Sequence, residues 1–192
     1  YNFTDKDLLS VVRQGLQNIF ISRGGLVEAN GDKHHYVFPS RKHSSKFLRV
    51  ANILLYKSEI YFIASSLLNK IKGKEFENIY CDTSSINSVA IAVADIYNRF
   101  NETKSINICS FKSYDGLYHK NTDFEPNSIF LISASTSGGI INYITQKDNS
   151  KKSISGKTVL GFTGHELFNN KMFKSEGGAG YRISQSFYGK LG

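Results

Sequence analysis

The sequence has little cysteine, a deficit of acidic residues and no long hydrophobic run. Cys81 and Cys109 are its only cysteines, and each lies in an apolar, strand-like stretch, so we expect two buried, reduced thiols and not a disulfide or a metal site. The longest apolar stretches fall far short of the roughly 20 residues that cross a bilayer. The opening residues do not have the pattern expected of a signal peptide. We therefore expect a cytoplasmic protein without membrane contact.

Acidic residues number 16 against 24 lysines and arginines, which gives a formal net charge of +8. An excess of this size favours phosphate-bearing partners, and free nucleotides, nucleic acid and acidic proteins all remain open. Hydrophobic residues make up 40% of the 192 positions, enough for the core of one domain and too many for a disordered chain.

Several functional motifs are also missing. The chain has no internal repeat, no P-loop Gly-Lys-Ser pattern and no Ser–His–Asp pattern. His34, His35 and His43 lie close together in sequence, but no cysteine or acidic ligand follows at a zinc spacing. We therefore expect no resident metal site.

The first 72 residues read as helix, strands and helix. Thr4 precedes an acidic first turn and an apolar pattern, which predicts an N-capped helix that ends at Gly24 and Gly25. Residues 26–50 carry β-forming side chains and predict two strands around a polar bend at 39–45. One apolar face over residues 57–72 predicts a second helix.

From residue 77 onward, strands alternate with helices, which predicts an α/β fold: a parallel sheet with helices on both faces. Such sheets bind ligands at the carboxyl ends of their strands, so the informative loops are 82–85, 112–127 and 133–139. The glycine- and aromatic-rich residues 164–192 predict a tail or an extra hairpin. The expected strands are 77–82, 105–111, 128–133 and 158–162, and the expected helices are 86–100 and 138–146.

The sharpest pattern runs from a buried strand into a Ser/Thr/Gly-rich turn that opens a helix. Glycines let the backbone approach a ligand, hydroxyls donate hydrogen bonds, and the helix N-terminus offers free N–H groups. This pattern predicts a phosphate cradle, although an ordinary capped connection would look similar. The cradle comprises Ser135, Thr136, Ser137, Gly138 and Gly139.

In this turn the sequence resembles the type I phosphoribosyltransferases, and among them orotate phosphoribosyltransferase. The family signature is a hydrophobic strand, two acids, two apolar residues, two Thr/Ser residues and a Gly pair. Aligned on the two glycines, Thr136 and Ser137 match the hydroxyl pair, while Ile132 and Ser133 stand in place of the two acids. In the family the acids hold the ribose hydroxyls of phosphoribosyl pyrophosphate, and the turn holds its 5′-phosphate.

Other segments resemble the family in the same order, over about residues 1–163. Residues 36–47 resemble the hood over the base, in a hood spanning about 26–50. Residues 82–85 stand where the family has its pyrophosphate loop, and 112–120 stand where it has its mobile catalytic loop. The implied hood contacts are Arg41, Lys42, Lys46 and Phe47; the implied pyrophosphate-loop residues are Asp82, Thr83, Ser84 and Ser85; the implied catalytic candidates are Lys112, His119 and Lys120.

Each of these residues also has a plainer interpretation. The hood lysines also fit a solvated surface, and His119 fits a polar loop. Asp82 could bind Mg²⁺ together with pyrophosphate, but we expect it instead to cap the helix that starts near Ile86.

The resemblance leaves three functions open. The first is a catalytically degenerate domain that binds a phosphorylated ribose or nucleotide in a regulatory or accessory role, as degenerate relatives do in bacterial conflict systems. The second is an active phosphoribosyltransferase, which alone would require Mg²⁺ and would use a base such as orotate. The third is a basic nucleic-acid-binding module. Whether the chain forms a homodimer or a larger assembly stays open. We favour the first function, because both acids are replaced.

Overall fold

The computed structural model describes residues 4–29, 35–37, 43–101, 105–112, 124–135, 140, 144 and 158–163. Helix α1 spans Asp5–Ser22 and begins as predicted at Thr4, whose hydroxyl accepts a hydrogen bond from the Asp7 backbone N–H in a capping box. Only the second half of α1 reaches the core. Phe20 is fully buried, whereas Leu8 and Val11 are 41% and 51% exposed.

The described residues between α1 and Leu48 form four short strands, where two were predicted. They are β1 (Leu26–Glu28), β2 (Tyr36–Val37), β3 (His43–Ser44) and β4 (Lys46–Leu48). β1 pairs antiparallel with β4, and β2 pairs antiparallel with β3. These strands make a small N-terminal hood, and a 3-10 turn at Val50–Ile53 joins it to the rest of the chain.

The remaining elements follow the predicted alternation. Helix α2 spans Lys57–Ile71, strand β5 Asn78–Cys81, a 3-10 turn Ser84–Ile86, and helix α3 Asn87–Phe100. Strand β6 spans Asn107–Ser110, β7 Ser128–Ser135 and β8 Thr158–Thr163. Ile140 and Ile144 are helical, which agrees with the helix predicted there. None of the helices described is long and apolar enough to cross a membrane.

Strands β5 to β8 form one four-stranded sheet in the order β6-β5-β7-β8, and each neighbouring pair is parallel. Alternate residues of each strand face opposite sides, so the sheet separates two cores. Ile79, Cys81, Ile129 and Leu131 pack with α1, α2 and α3 on one face. Side chains on the other face form a second cluster: Tyr80, Phe111, Phe124, Phe130, Ile132, Ile140 and Ile144.

The two cysteines lie on neighbouring strands but differ in burial. Cys81 is fully buried, and desolvation, more than the nearby Asp82 and Cys109, raises the pKa of its thiol to about 12. Cys109 is exposed, which corrects the expectation that both thiols are buried. On edge strand β6, Ile108 packs toward the first core, and therefore Cys109 points to the other side.

Candidate functional site

The strand order places a switch point between β5 and β7. From β5 the chain passes through α3 to β6 on one side, and it later returns to β7 on the other side. In open parallel sheets the ligand crevice opens beyond the carboxyl ends of the strands at such a point. Asp82 follows β5 directly, and Ser133 lies near the end of β7.

Asp82 and Ser133 are joined by two hydrogen bonds across this switch point. The backbone N–H of Ser133 donates to Asp82 Oδ1 at 2.9 Å, and its hydroxyl donates to Oδ2 at 2.7 Å. Asp82 is 2% exposed. Burial raises the pKa of Asp82, while the bonds from Ser133 act in the opposite direction.

The register between β7 and β8 shifts at the same place. Ile132 is opposite Gly161 and Ser135 is opposite Thr163, so Ser133 and Ala134 together face one residue of β8. An extra residue of this kind leaves an N–H without its ladder partner and bends the strand. The N–H of Ser133 points toward β5, on the same side of β7 as the Leu131 carbonyl that accepts from the Asp82 N–H, and it bonds the Asp82 carboxylate.

The expected capping role of Asp82 is wrong. Thr83 is the N-cap of the 3-10 turn and Ile86 is the N-cap of α3, and neither makes a side-chain cap hydrogen bond. The carboxylate turns sideways toward β7 because Ser133 offers it two donors. Sequence reasoning missed this pair, since nothing in the local pattern links positions 51 residues apart.

The other residues of the loop after β5 bond within the loop. The hydroxyls of Thr83 and Ser85 lie 2.8 Å apart in a hydrogen bond. The N–H of Ile86 donates to the carbonyl of Thr83 at 3.4 Å. Ser84 and Ser85 are exposed.

The two described hood candidates contact other hood residues. Lys46 Nζ lies 2.7 Å from Glu28 Oε1 across the β1–β4 pair. The Phe47 ring lies 5.6 Å from the ring of Tyr36. Arg41 and Lys42 lie outside the described residues, so their predicted contacts stay predictions.

Lys112 is the one catalytic candidate that the structure describes. It is exposed, has a positive φ of 57° and follows Phe111, whose N–H donates to the Cys81 carbonyl at 2.9 Å. Lys112 therefore lies at the carboxyl edge, on the β6 side of β5. His119 and Lys120 lie outside the described residues.

The phosphate-cradle candidates follow directly from β7. The backbone of Ser135 ends this strand at the carboxyl edge, and five residues later Ile140 is helical and buried. Residues 136–139, between them, lie outside the described part of the chain. The phosphate contacts of Ser135 to Gly139 therefore stay predictions.

The described residues of the crevice do not fit a Mg²⁺ ion. Over the ranges that the structure describes, no three His, Cys, Asp or Glu side chains come together as ligands. The only carboxylate following β5 or β7 there is that of Asp82, and both of its oxygens accept bonds from Ser133. Magnesium prefers several oxygen ligands in near-octahedral geometry.

No protein-family model matches the chain, and no curated protein matches it by sequence. Solved structures do match it when the folds are superposed. UMP synthase from Leishmania donovani superposes with a TM-score of 0.51 at 10% identity, over 79% of this chain and 30% of that one. Orotate phosphoribosyltransferase from Aeropyrum pernix gives 0.47 at 14% identity, over 76% and 80% of the two chains. The Mycobacterium tuberculosis H37Rv orotate phosphoribosyltransferase in complex with Fe(III) dicitrate gives 0.43 at 13%, over 78% and 82%.

The chain therefore has a phosphoribosyltransferase-like α/β fold: a parallel sheet flanked by helices, with a small N-terminal hood. At these identities the likeness concerns the fold alone. The chain spans less than a third of the length of the UMP synthase chain that it resembles.

Proposed function

We propose that this domain binds a phosphorylated ribose or a nucleotide at the carboxyl edge of its sheet and does not catalyse phosphoribosyl transfer. The observation that carries the proposal is the environment of Ile132 and Ser133. Ile132 is fully buried in the second core, and Ser133 bonds inward to Asp82. Neither position presents a carboxylate to a ribose ring.

Catalysis by the family's route needs charge around an oxocarbenium-like centre. The two signature acids that would hold the ribose are replaced by an apolar and a hydroxyl side chain. The described residues also lack a set of ligands for Mg²⁺. These features support binding without turnover.

The phosphate-binding half of the site depends on different residues from the ribose-binding half. Hydroxyls and backbone N–H groups at 135–139 would hold the phosphate, and Gly138 and Gly139 would let it approach the backbone. Hydrogen bonds to a charged group contribute about 1.5–3 kcal/mol each. Two or three such bonds give an affinity on the order of micromolar to millimolar.

A domain that binds a nucleotide without consuming it suits a regulatory or accessory role. Such a domain reports the ligand concentration through its own occupancy, either as a homodimer or within a larger assembly. By analogy with degenerate relatives in bacterial conflict systems, a defence-type assembly is the setting that we propose.

Calorimetric titration with 5′-mononucleotides, ribose 5-phosphate and phosphoribosyl pyrophosphate tests this proposal. We expect saturable binding of at least one phosphorylated ligand, and its loss in Gly138→Asp, which places bulk and negative charge in the cradle. Ser88→Asp, on α3, is the matched charge control and should bind normally. Circular dichroism would confirm that both variants fold.

Two results would contradict the proposal. Pyrophosphate release with orotate or a purine, abolished by Gly138→Asp, would show an active enzyme. Binding of nucleic acid that falls steeply with salt and is insensitive to Gly138→Asp would favour the nucleic-acid module.

A further inference from the structure

The first half of α1 keeps its apolar side chains exposed. All residues from 4 to 11 are exposed, with Leu8 at 41% and Leu9 at 55%. In a helix of 3.6 residues per turn, Leu8 and Leu9 lie on the same face as Leu16, which packs against the first core. The core-facing stripe of α1 therefore continues past the end of the core and forms an exposed apolar surface there.

This exposed half is nevertheless a capped, regular helix. Thr4 and Asp7 form the capping box, in which the Thr4 N–H donates to Asp7 Oδ2 at 2.9 Å. Helices in proteins gain most of their stability by packing an apolar face, which the exposed half of α1 does not do within its own chain. A partner that covers Leu8 and Leu9 would complete this packing.

Charged side chains of opposite sign flank the exposed apolar surface. Asp5, Leu9 and Arg13 are each four residues apart, so they form one row along the helix with about 6 Å between successive members. Asp5 and Arg13 are both exposed. Arg13 also interacts within its own chain, but a guanidinium has five N–H donors and can serve a second partner. An acid, a leucine and a base in this order make a row that is complementary to its own reverse.

A second copy of the chain supplies that reversed row. When two α1 helices lie antiparallel about a two-fold axis at Leu9, Asp5 of each copy faces the partner's Arg13, and the two Leu9 side chains meet at the axis. Leu8 and the half-buried Val12 lie beside Leu9 and widen the apolar contact. A two-fold contact uses the same surface on both copies, so association stops at the dimer.

We propose that the chain forms a homodimer through the exposed half of α1, with the two helices antiparallel and Asp5 of each copy paired with the partner's Arg13. The inference goes beyond the proposed function and does not depend on it, because no residue of α1 takes part in the proposed phosphate binding.

Sedimentation velocity over about 1–300 µM protein tests the proposal, and we expect a monomer–dimer equilibrium for the wild type. Leu9→Glu places two carboxylates at the axis and should weaken dimerisation at least about tenfold. Gln14→Glu adds the same charge on the opposite, exposed face of α1 and should leave dimerisation unchanged. Circular dichroism would confirm that both variants fold.

Two charge reversals test the antiparallel register at low ionic strength, where exposed ion pairs are least screened. Asp5→Lys would face the partner's Arg13, and Arg13→Glu would face the partner's Asp5, so each variant alone should dimerise roughly tenfold more weakly. In a one-to-one mixture of the two variants, every facing pair has opposite signs, and the heterodimer should form with about wild-type affinity. Mixing would not rescue a variant that merely weakens its own helix.

Three results would overturn the proposal. A wild type that stays monomeric at every concentration would leave the exposed surface of α1 to a different occupant. A dimer that survives Leu9→Glu would have its interface elsewhere. No gain of dimer on mixing Asp5→Lys with Arg13→Glu would reject the antiparallel pairing of Asp5 with the partner's Arg13.

Discussion

Ser133 donates both its backbone N–H and its hydroxyl to the carboxylate of Asp82, 51 residues earlier in the chain. The contact joins the ends of β5 and β7, which bound the crevice, and it lies where the register between β7 and β8 shifts. One buried carboxylate therefore links the ends of the two strands that bound the crevice.

Because the pKa of Asp82 is raised in the folded state, its contribution to the free energy of unfolding should fall as pH rises. The unfolded carboxyl titrates near pH 3.9 and the folded one higher, so between those values the native state binds more protons. The free energy of unfolding of the wild type, relative to Asp82→Asn, should therefore fall as pH rises through this window and stay level above it. Urea denaturation at a series of pH values measures the difference.

Asp95 provides a control, because its pKa is shifted in the opposite direction to that of Asp82. Its hydrogen bond from Tyr61 lowers the pKa of Asp95, with a further contribution from Arg99. The wild type should therefore gain stability relative to Asp95→Asn as pH rises from the lowered pKa of the folded carboxyl to the ordinary pKa of the unfolded one. If the Asp82 difference also rose with pH, burial would not be the dominant influence on that carboxyl.

Gly25, between α1 and the hood, has no room for a side chain. A Cβ there would lie 2.5 Å from Cγ2 of Ile53 and 2.9 Å from Cδ1 of Phe20, and both residues are fully buried. Gly25→Ala should lower the free energy of unfolding by about 1–3 kcal/mol, the usual cost of overpacking. Thermal and urea denaturation would measure this loss.

Gly24→Ala distinguishes crowding from backbone strain. Gly24 has a φ of +64°, which disfavours alanine, but a Cβ there would meet nothing closer than the Asn52 amide at 3.8 Å. We expect a smaller loss, of about 1 kcal/mol. A larger loss for Gly24→Ala than for Gly25→Ala would show that the close contacts around Gly25 relax easily.

The two cysteines should differ in reactivity toward iodoacetamide. At pH 8 the exposed Cys109 should be alkylated readily, whereas Cys81, with a pKa of about 12, should react only when the protein unfolds. Mass spectrometry of the digested protein identifies the labelled residue, and Cys109→Ser should abolish the rapid reaction. Equal rates for the two thiols in the native state would contradict the burial of Cys81.

The alternation of strands and helices was predictable because apolar periodicity acts over a few residues. The spacing of apolar residues in the local sequence is enough to locate both the buried strand residues 129–132 and helix α3. The strands of the hood were harder to predict, because β2 and β3 have two residues each, which is too few to show an alternation of apolar and polar side chains.

The contact between Asp82 and Ser133 could not be predicted for a different reason. An acid before a helix start is a typical cap, and a serine near a strand end carries no signal of its own. The donor that bonds a carboxylate depends on which strands are neighbours in the sheet, and this strand order is not evident from the residues around the acid. The exposure of Cys109 likewise follows from the place of β6 at the edge of the sheet.

The strand order also bears on how the chain folds while it is being synthesised. β5 and β6 are joined through α3 and can pair early, but β7 must close a loop of more than 40 residues before it reaches β5. Until then Tyr80 lacks Phe130, which later stacks on it at 5.3 Å between ring centroids. A nascent chain that stalls in this interval displays an aromatic sheet face and an unpaired strand edge, the kind of surface that chaperones cover and that leads to aggregation.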